Sequence, residues 1–411
     1  MRPYPGFAPL AVLLATTWIQ MGCEGPHAPA TDPVVYDSAG VRIIHHPSPT
    51  VGSPARWAVS GGPLVAIGRD GGDVSHQFFG VVGALRLSDG RIVIGNRGSS
   101  ELRFFDEDGQ HLFSVGSSGD GPGEFRMLAG LYRMEGDSLL THDFQGRRMS
   151  VFAPDGAFVR SFRLEPVDDA SVPSVAGVFG DGSILVRGLA VVGARETQTG
   201  VVRDPMVYSR MNERGDVLAA YGEFPGTETY VGEFAGAPTA QLLPLGRTSV
   251  ATAGHDWFFV GAGDEYEIEV RSLAGDLLHL VRMDVQPRAV MSHHVEEVHR
   301  VLREGAEGLP DAMRRDVERQ LQDMPLPEVF PAYGHFAVDS EGALWVGDYT
   351  APNDETSVWT VFLPEGDLLA QLEIDSALRL LDIGTDYILG VRTDDLGVER
   401  VELYQLTRDA E

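Results

Sequence analysis

The chain repeats one β-rich unit six times, and that recurrence restricts its fold more than any other feature. Each unit reads as a short apolar run, a Gly/Asp turn, a second run, a loop, a third run, another Gly/Asp turn and a fourth run. This is the pattern of antiparallel four-stranded sheets. The first unit holds ALRLSDGRIVIGN (84–96) and ELRFFDEDGQHLFSVG (101–116); the second holds LYRMEGDSLLTHD (131–143) and RMSVFAPDGAFVRSF (148–162). The remaining pairs lie at 177–188 with 207–222, 249–263 with 266–283, 335–349 with 358–374, and 379–392 with 400–407. Six units of this length predict an all-β, six-bladed β-propeller. The sixth shows only three clear strands, and GVRIIHH (40–46) is spare at the other end of the chain. The expectation is that it pairs into the sixth blade and closes the ring, leaving no open edge.

One stretch departs from period two. Between 287 and 325, Met291, Val295, Val298 and Leu302 recur at helical spacing, as do Met313, Val317, Leu321 and Met324. Ser292 is suited to an N-cap and Pro310 to a first turn, with Gly305 and Gly308 between the two segments. A helical hairpin inserted between blades four and five follows.

The ends of the chain carry separate signals. The single cysteine, Cys23, excludes an internal disulfide and a CxxC metal site. It follows Arg2 and an apolar run over 7–19 that is too short to span a bilayer but has the length of a signal-peptide core. The segment resembles a bacterial lipoprotein signal, in which the cysteine becomes the acylated first residue. Gly22 fits that pattern, whereas Gln20 and Met21 depart from it; an ordinary exported protein cut further on is the other reading. The expected organisation is a signal peptide over 1–22, a Pro/Ala/Gly-rich tether over 23–36 and the propeller over 37–411. Lipid on Cys23 would be the only membrane contact, placing the protein in the periplasm or facing the outer membrane.

Charge and composition remove several functions. Net charge is −28 with no basic cluster, which argues against nucleic acid as a partner. There is no lysine, all 32 basic residues being arginine, so Schiff-base chemistry and a P-loop lysine are excluded. No Gly-x-Ser-x-Gly elbow occurs. In SHHVEEVH (292–299), His293, His294 and His299 lack the spacing of a helical zinc site, and His293 with Glu297 could instead form an ion pair on a solvated face.

The stretch GSSGDGPGEF (116–125) poses a choice between a phosphate cradle and a link between blades. With no following GK[ST] and no helix, the link is the simpler reading. Gly119, Gly121, Pro122, Gly123, Glu124 and Phe125 reproduce the Gly-x-Gly-Pro-Gly-x-Phe segment of NHL-type propellers and related six-bladed bacterial lipoproteins. DSAGVRII, ELRFFDEDG, RRMSVFAPDG and DSEGALWVGDY are similar to that group as well. The resemblance covers about 37–406, although the glycine segment occurs in full only once.

In a propeller the loops between second and third strands gather with the inter-blade links on one face. Asn96, Arg97, Asp143, Arg147, Arg187, Asp348, Tyr349 and Arg392 are expected there, joined by Tyr333 and His335 from the link into blade five. Each aspartate could instead bind nearby backbone N–H groups. Two functions stay open. One is a non-catalytic, membrane-tethered binding or scaffold module for an envelope protein, peptide or glycan, needing no cofactor. The other, implied by six-bladed relatives, is a lactonase- or lyase-type enzyme with an axial divalent metal such as calcium.

Overall fold

The computed structural model describes residues 32–48, 55–68, 73–166, 171–190, 199–394 and 396–408. The expected signal segment and Cys23 lie outside the described residues. Six sheets of four to six strands form a six-bladed β-propeller. Blade one is Val81–Arg86, Ile92–Asn96, Glu101–Phe105 and His111–Val115, in antiparallel order from the axis outward. Blade two follows with Leu128–Arg133, Leu139–Asp143, Arg148–Phe152 and Phe158–Arg163. Blade four runs from Val250–Ala253 to Leu277–Met283, and blade five from His335–Val338 to Leu368–Asp375.

Stacking each sheet between two neighbours buries both of its faces, so its strands need apolar side chains at successive positions rather than alternation. Ile92–Asn96 and Leu139–Asp143 are buried along their whole length. Apolar clusters occupy each seam: Phe104, Phe125 and Phe152 between blades one and two, for example, and Trp345, Trp359 and Ile388 between five and six.

Ring closure differs from the sequence-based expectation. Blade six comprises Leu378–Ile383, Tyr387–Thr393 and Glu399–Thr407, and the outer side of Glu399–Thr407 is paired antiparallel by both Ala58–Val59 and Val65–Ile67. Val41–His46 runs parallel to Leu277–Met283 at the edge of blade four, paired on its other side by Val34–Ser38. That strand begins inside the span expected to be tether. Between them, Ala55–Arg56 pairs with blade five's outer strand. The N-terminal segment is therefore a strap across the outer edges of blades four, five and six. Packing explains the placement. Ile44 is buried against the turn of blade five at Gly366, whose carbonyl bonds to His46 Nε2 at 2.7 Å, whereas Ile67 enters the seam between blades six and one. Trp57 pins the middle of the strap, 5.7 Å from Trp345 by ring centroid and covered by the Arg408 guanidinium at 4.4 Å.

The helical hairpin comprises α1 (Ser292–Gly305) and α2 (Asp311–Asp323), between blades four and five as expected. The caps fall one residue earlier than the sequence suggests for α1, where Met291 is the N-cap, and Pro310 caps α2. Val298 of α1 packs with Leu245, Phe330 and Ala351, and Met324 after α2 with Tyr230 and Leu243. The last two contacts come from an extension of blade three, where Gly200–Met211, Val217–Phe234 and a fifth strand, Ala237–Leu242, outgrow the other blades. Asp316 accepts the Ala235 N–H at 3.0 Å, joining α2 to the tip of that extension.

Candidate functional site

The glycine segment is a link whose anion is its own. It joins His111–Val115 of blade one to Leu128–Arg133 of blade two, and the Gly121 N–H donates to Glu124 Oε2 at 2.8 Å. A Cβ on Gly119 would overlap the Glu124 carboxylate, so glycine there makes room for an internal acceptor. Phe125 is fully buried in the seam between blades one and two.

Strand register places the sequence-derived candidates relative to the axis. The first residues of the inner strands oppose residues at or next to the ends of the second strands: Val81 with Asn96, Leu128 with Asp143, His335 with Gly347, and Leu378 with Arg392. Asp348 and Tyr349 follow Gly347 directly, and Arg187 pairs with Ser174 further along blade three. One end of the propeller thus receives residues from several blades.

Many of them are committed to structure. Buried Asp143 accepts the N–H groups of Arg126, Met127 and Gly146 at 2.9–3.1 Å, and buried Asn96 accepts the Phe79 N–H at 2.9 Å while donating to Ser99. Tyr333 is buried, its hydroxyl donating to the Glu267 carbonyl at 2.7 Å and accepting from Gly263 N–H. Burial moves its pKa upward. Arg392, expected to face a ligand, instead meets Asp375 at 2.9 Å and Glu402 at 3.2 Å and donates to Tyr404. The sequence could not show these partners because they come from other strands of blades five and six.

Others remain open. Arg97 and Arg147 are exposed, and the backbone of Arg147 has a positive φ of 46°. Arg97 donates through Nε to the Leu128 carbonyl at 3.1 Å, reaching from blade one to blade two. Arg187 is half-buried near Tyr132 and Tyr208, with its Nε buried and unpartnered. His335 is exposed, nearly parallel to Trp359, and desolvation together with Arg379 lowers its pKa. Asp348 is half-buried; desolvation pushes its pKa up to about 6, with Arg288 opposing. Tyr349 stacks on Phe330 at 5.3 Å, and Arg288 lies over the same Phe330 ring while pairing with Asp354 at 2.6 Å.

Sequence reasoning missed Arg379. It is the second residue of the sixth inner strand and donates through Nη2 to the Val81 carbonyl at 2.7 Å. Its signal was an arginine beginning an otherwise apolar run, RLLDIG. At the far ends of the inner strands a second polar cluster is closed on itself. Arg133 donates to Asp382 at 2.9 Å, to Asp137 at 2.7 Å and to the Arg86 carbonyl, while Tyr387 donates to Asp382 at 2.8 Å.

The histidines of 292–299 do not meet as ligands. His294 is buried and accepts the Met291 N–H through Nδ1 at 3.0 Å, and Glu297 pairs with Arg300 rather than with His293. Among the described residues, no three His, Cys, Asp or Glu side chains stand close enough to hold a metal. No helix among them is long and apolar enough to cross a membrane.

A family profile described as a 6-bladed beta-propeller matches residues 76–168. The match agrees with the six-bladed propeller fold and covers less than a quarter of the chain. It spans blades one and two, including the glycine link. No curated protein matches the sequence. Among solved structures, similarity extends to an inferred exported protein from Bacteroides fragilis, at 13% identity, covering 90% of this chain and 100% of that one with a TM-score of 0.46. Virginiamycin B lyase from Staphylococcus aureus shows 11% identity, 86% and 100% coverage and a TM-score of 0.40. A calcium-binding regucalcin from Agrobacterium tumefaciens shows 9%, 82% and 94%, and 0.39. At these values none of the three bears on what this propeller binds.

Proposed function

We propose that this propeller is a non-catalytic binding or scaffold module of the cell envelope, an NHL-like lipoprotein exported and tethered through Cys23, that recognises a protein, peptide or glycan through its axial face. The observation that carries the reading is the division of labour at that face. The Asp143 carboxylate and the Tyr333 hydroxyl are occupied by backbone groups. The groups left open include the half-buried Asp348; Arg97, Arg147 and His335 among them are hydrogen-bond donors able to recognise a polar partner.

The test is capture of a partner from a detergent-solubilised envelope extract, before and after chelation, with elemental analysis of the same sample. Binding that survives chelation is the expected result. A stoichiometric divalent metal with chelator-sensitive turnover of a lactone would overturn it. Membrane release of a Cys23→Ser variant tests the anchor separately.

A further inference from the structure

We propose that the axial mouth formed by blades five, six and one binds an anionic group, carboxylate or phosphate, carried on an apolar body. This deepens the binding-module reading and rests on it. Among the described inner-strand side chains, His335 and Arg379 alone are exposed. They are the first and second residues, respectively, of the inner strands of adjacent blades, at the same end of the propeller. The free edge of an innermost strand faces the axis, so solvent reaches these side chains from the axial opening.

The arc continues around the segment Phe79–Gly80–Val81. Arg379 is anchored to the Val81 carbonyl, and Arg97 packs on Gly80, where an added Cβ would lie 3.3 Å from the Arg97 Cβ. Neither Arg97 nor Arg379 has a carboxylate within ion-pair distance among the described residues, unlike Arg392, Arg288 and Arg203. Their positions are set by single bonds to backbone carbonyls, at Leu128 and Val81, leaving further N–H donors of each guanidinium for a ligand. Glu399, which is near Arg379, has Oε2 engaged by the Val81 N–H at 2.9 Å. Desolvation, with Arg97 adding to it, lowers the pKa of Arg379, and desolvation with Arg379 does the same to His335. Like charges gathered at a partly desolvated mouth are relieved by an anion.

The apolar part follows from Phe79, which is 76% exposed at this lip. Its carbonyl accepts the Gly98 N–H at 2.8 Å, beside Arg97, so the ring is carried on an ordered turn. An exposed phenylalanine on the same segment, whose Val81 carbonyl holds Arg379 and whose Gly80 abuts Arg97, suits a ligand with an anionic head and an apolar body.

The experiment is calorimetry of the full chain with phenyl phosphate, 4-phenylbutyrate and inorganic phosphate at fixed pH and salt. Saturable binding of at least one phenyl compound is expected, and the better of the two identifies the anion as phosphate or carboxylate. Arg379→Gln and Arg97→Gln should each weaken it about tenfold or more. Phe79→Ala should weaken the phenyl compounds but leave inorganic phosphate unchanged. Arg126→Gln, in the glycine link and paired with Asp120, should change nothing. Should Arg379→Gln fail to fold, Arg97→Gln and Phe79→Ala still decide. Absence of saturable binding up to about 10 mM, or binding indifferent to both arginines, overturns the anion site. A partner captured from the envelope independently of Arg97 and Arg379 would then leave the binding-module reading standing, whereas chelator-sensitive turnover would remove that reading itself.

Discussion

Ile67 of the N-terminal strap is buried in the same apolar cluster as Val401 of the last strand, and the two are register partners in antiparallel pairing. A strand of the N-terminal strap and the last strand of the chain therefore share one sheet, and closure depends on a contact between residues more than three hundred positions apart. Such a contact forms only after most of the chain is in place, since loop-closure entropy opposes it until neighbouring seams exist.

Truncating that contact should loosen the ring. Ile67→Ala is expected to lower unfolding stability by about 2–5 kcal/mol, the usual cost of emptying a packed core site. Substitution of exposed Val35 on the strap's outer hairpin should cost well under about 1 kcal/mol. Denaturant melts of both variants compare them directly, and equal effects would place closure elsewhere.

Phe125→Ala should destabilise by about 3–5 kcal/mol, because its ring is fully buried between blades one and two and lies 6.0 Å from that of Phe152. A phosphate-cradle role predicts the opposite pattern, with phosphate affinity lost and stability kept. Thermal melting with and without phosphate separates the two.

Arg392→Ala is expected to be destabilising by about 1–3 kcal/mol rather than silent. It would leave the largely buried Glu402 carboxylate with the Tyr404 hydroxyl but without its guanidinium partner. If the melting temperature is unchanged, the Asp375–Arg392–Glu402 network contributes nothing measurable.

Asp348 makes a pH signature. Its folded pKa of about 6 lies above the ordinary carboxyl value, so its ionisation weakens the fold. The stability associated with the protonated form is full below about pH 4 and is lost as pH rises through about 6. Asp348→Asn should therefore gain stability relative to the parent across that window, levelling at no more than about 3 kcal/mol above it. The charged and titratable neighbours involved are Arg288, which opposes the shift, and Tyr266. Paired melts from pH 4 to pH 8 check the sign; a difference that shrinks with rising pH would refute it.

Short-range patterns were sufficient for much of the architecture. Turn pairs such as Asp89-Gly90 and Asp155-Gly156 mark hairpins because glycine supplies the positive φ the turn requires, 91° and 83° here. Six recurrences of such hairpins specify blades, and the shift from period two to helical period over 287–325 announces the hairpin because it depends only on near neighbours. The glycine link was also legible, since nothing around it could complete a phosphate site.

Tertiary structure alone decided which edge each N-terminal strand covers. Val41–His46 and Val65–Ile67 are both short and rich in β-branched residues, and the choice between blades four and six rests on distant partners: Gly366 and Val281 for Ile44, Leu389 and Val401 for Ile67. The candidate site divides in the same way. Sequence placed Arg97, His335 and Arg392 at one end through strand order, but whether a guanidinium is open or paired depends on side chains from other strands. Arg392 meets Asp375 and Glu402, whereas Arg379 and Arg97 find only carbonyls. Backbone rhythm is a local property of the chain, and the pairing of charges across blades is not.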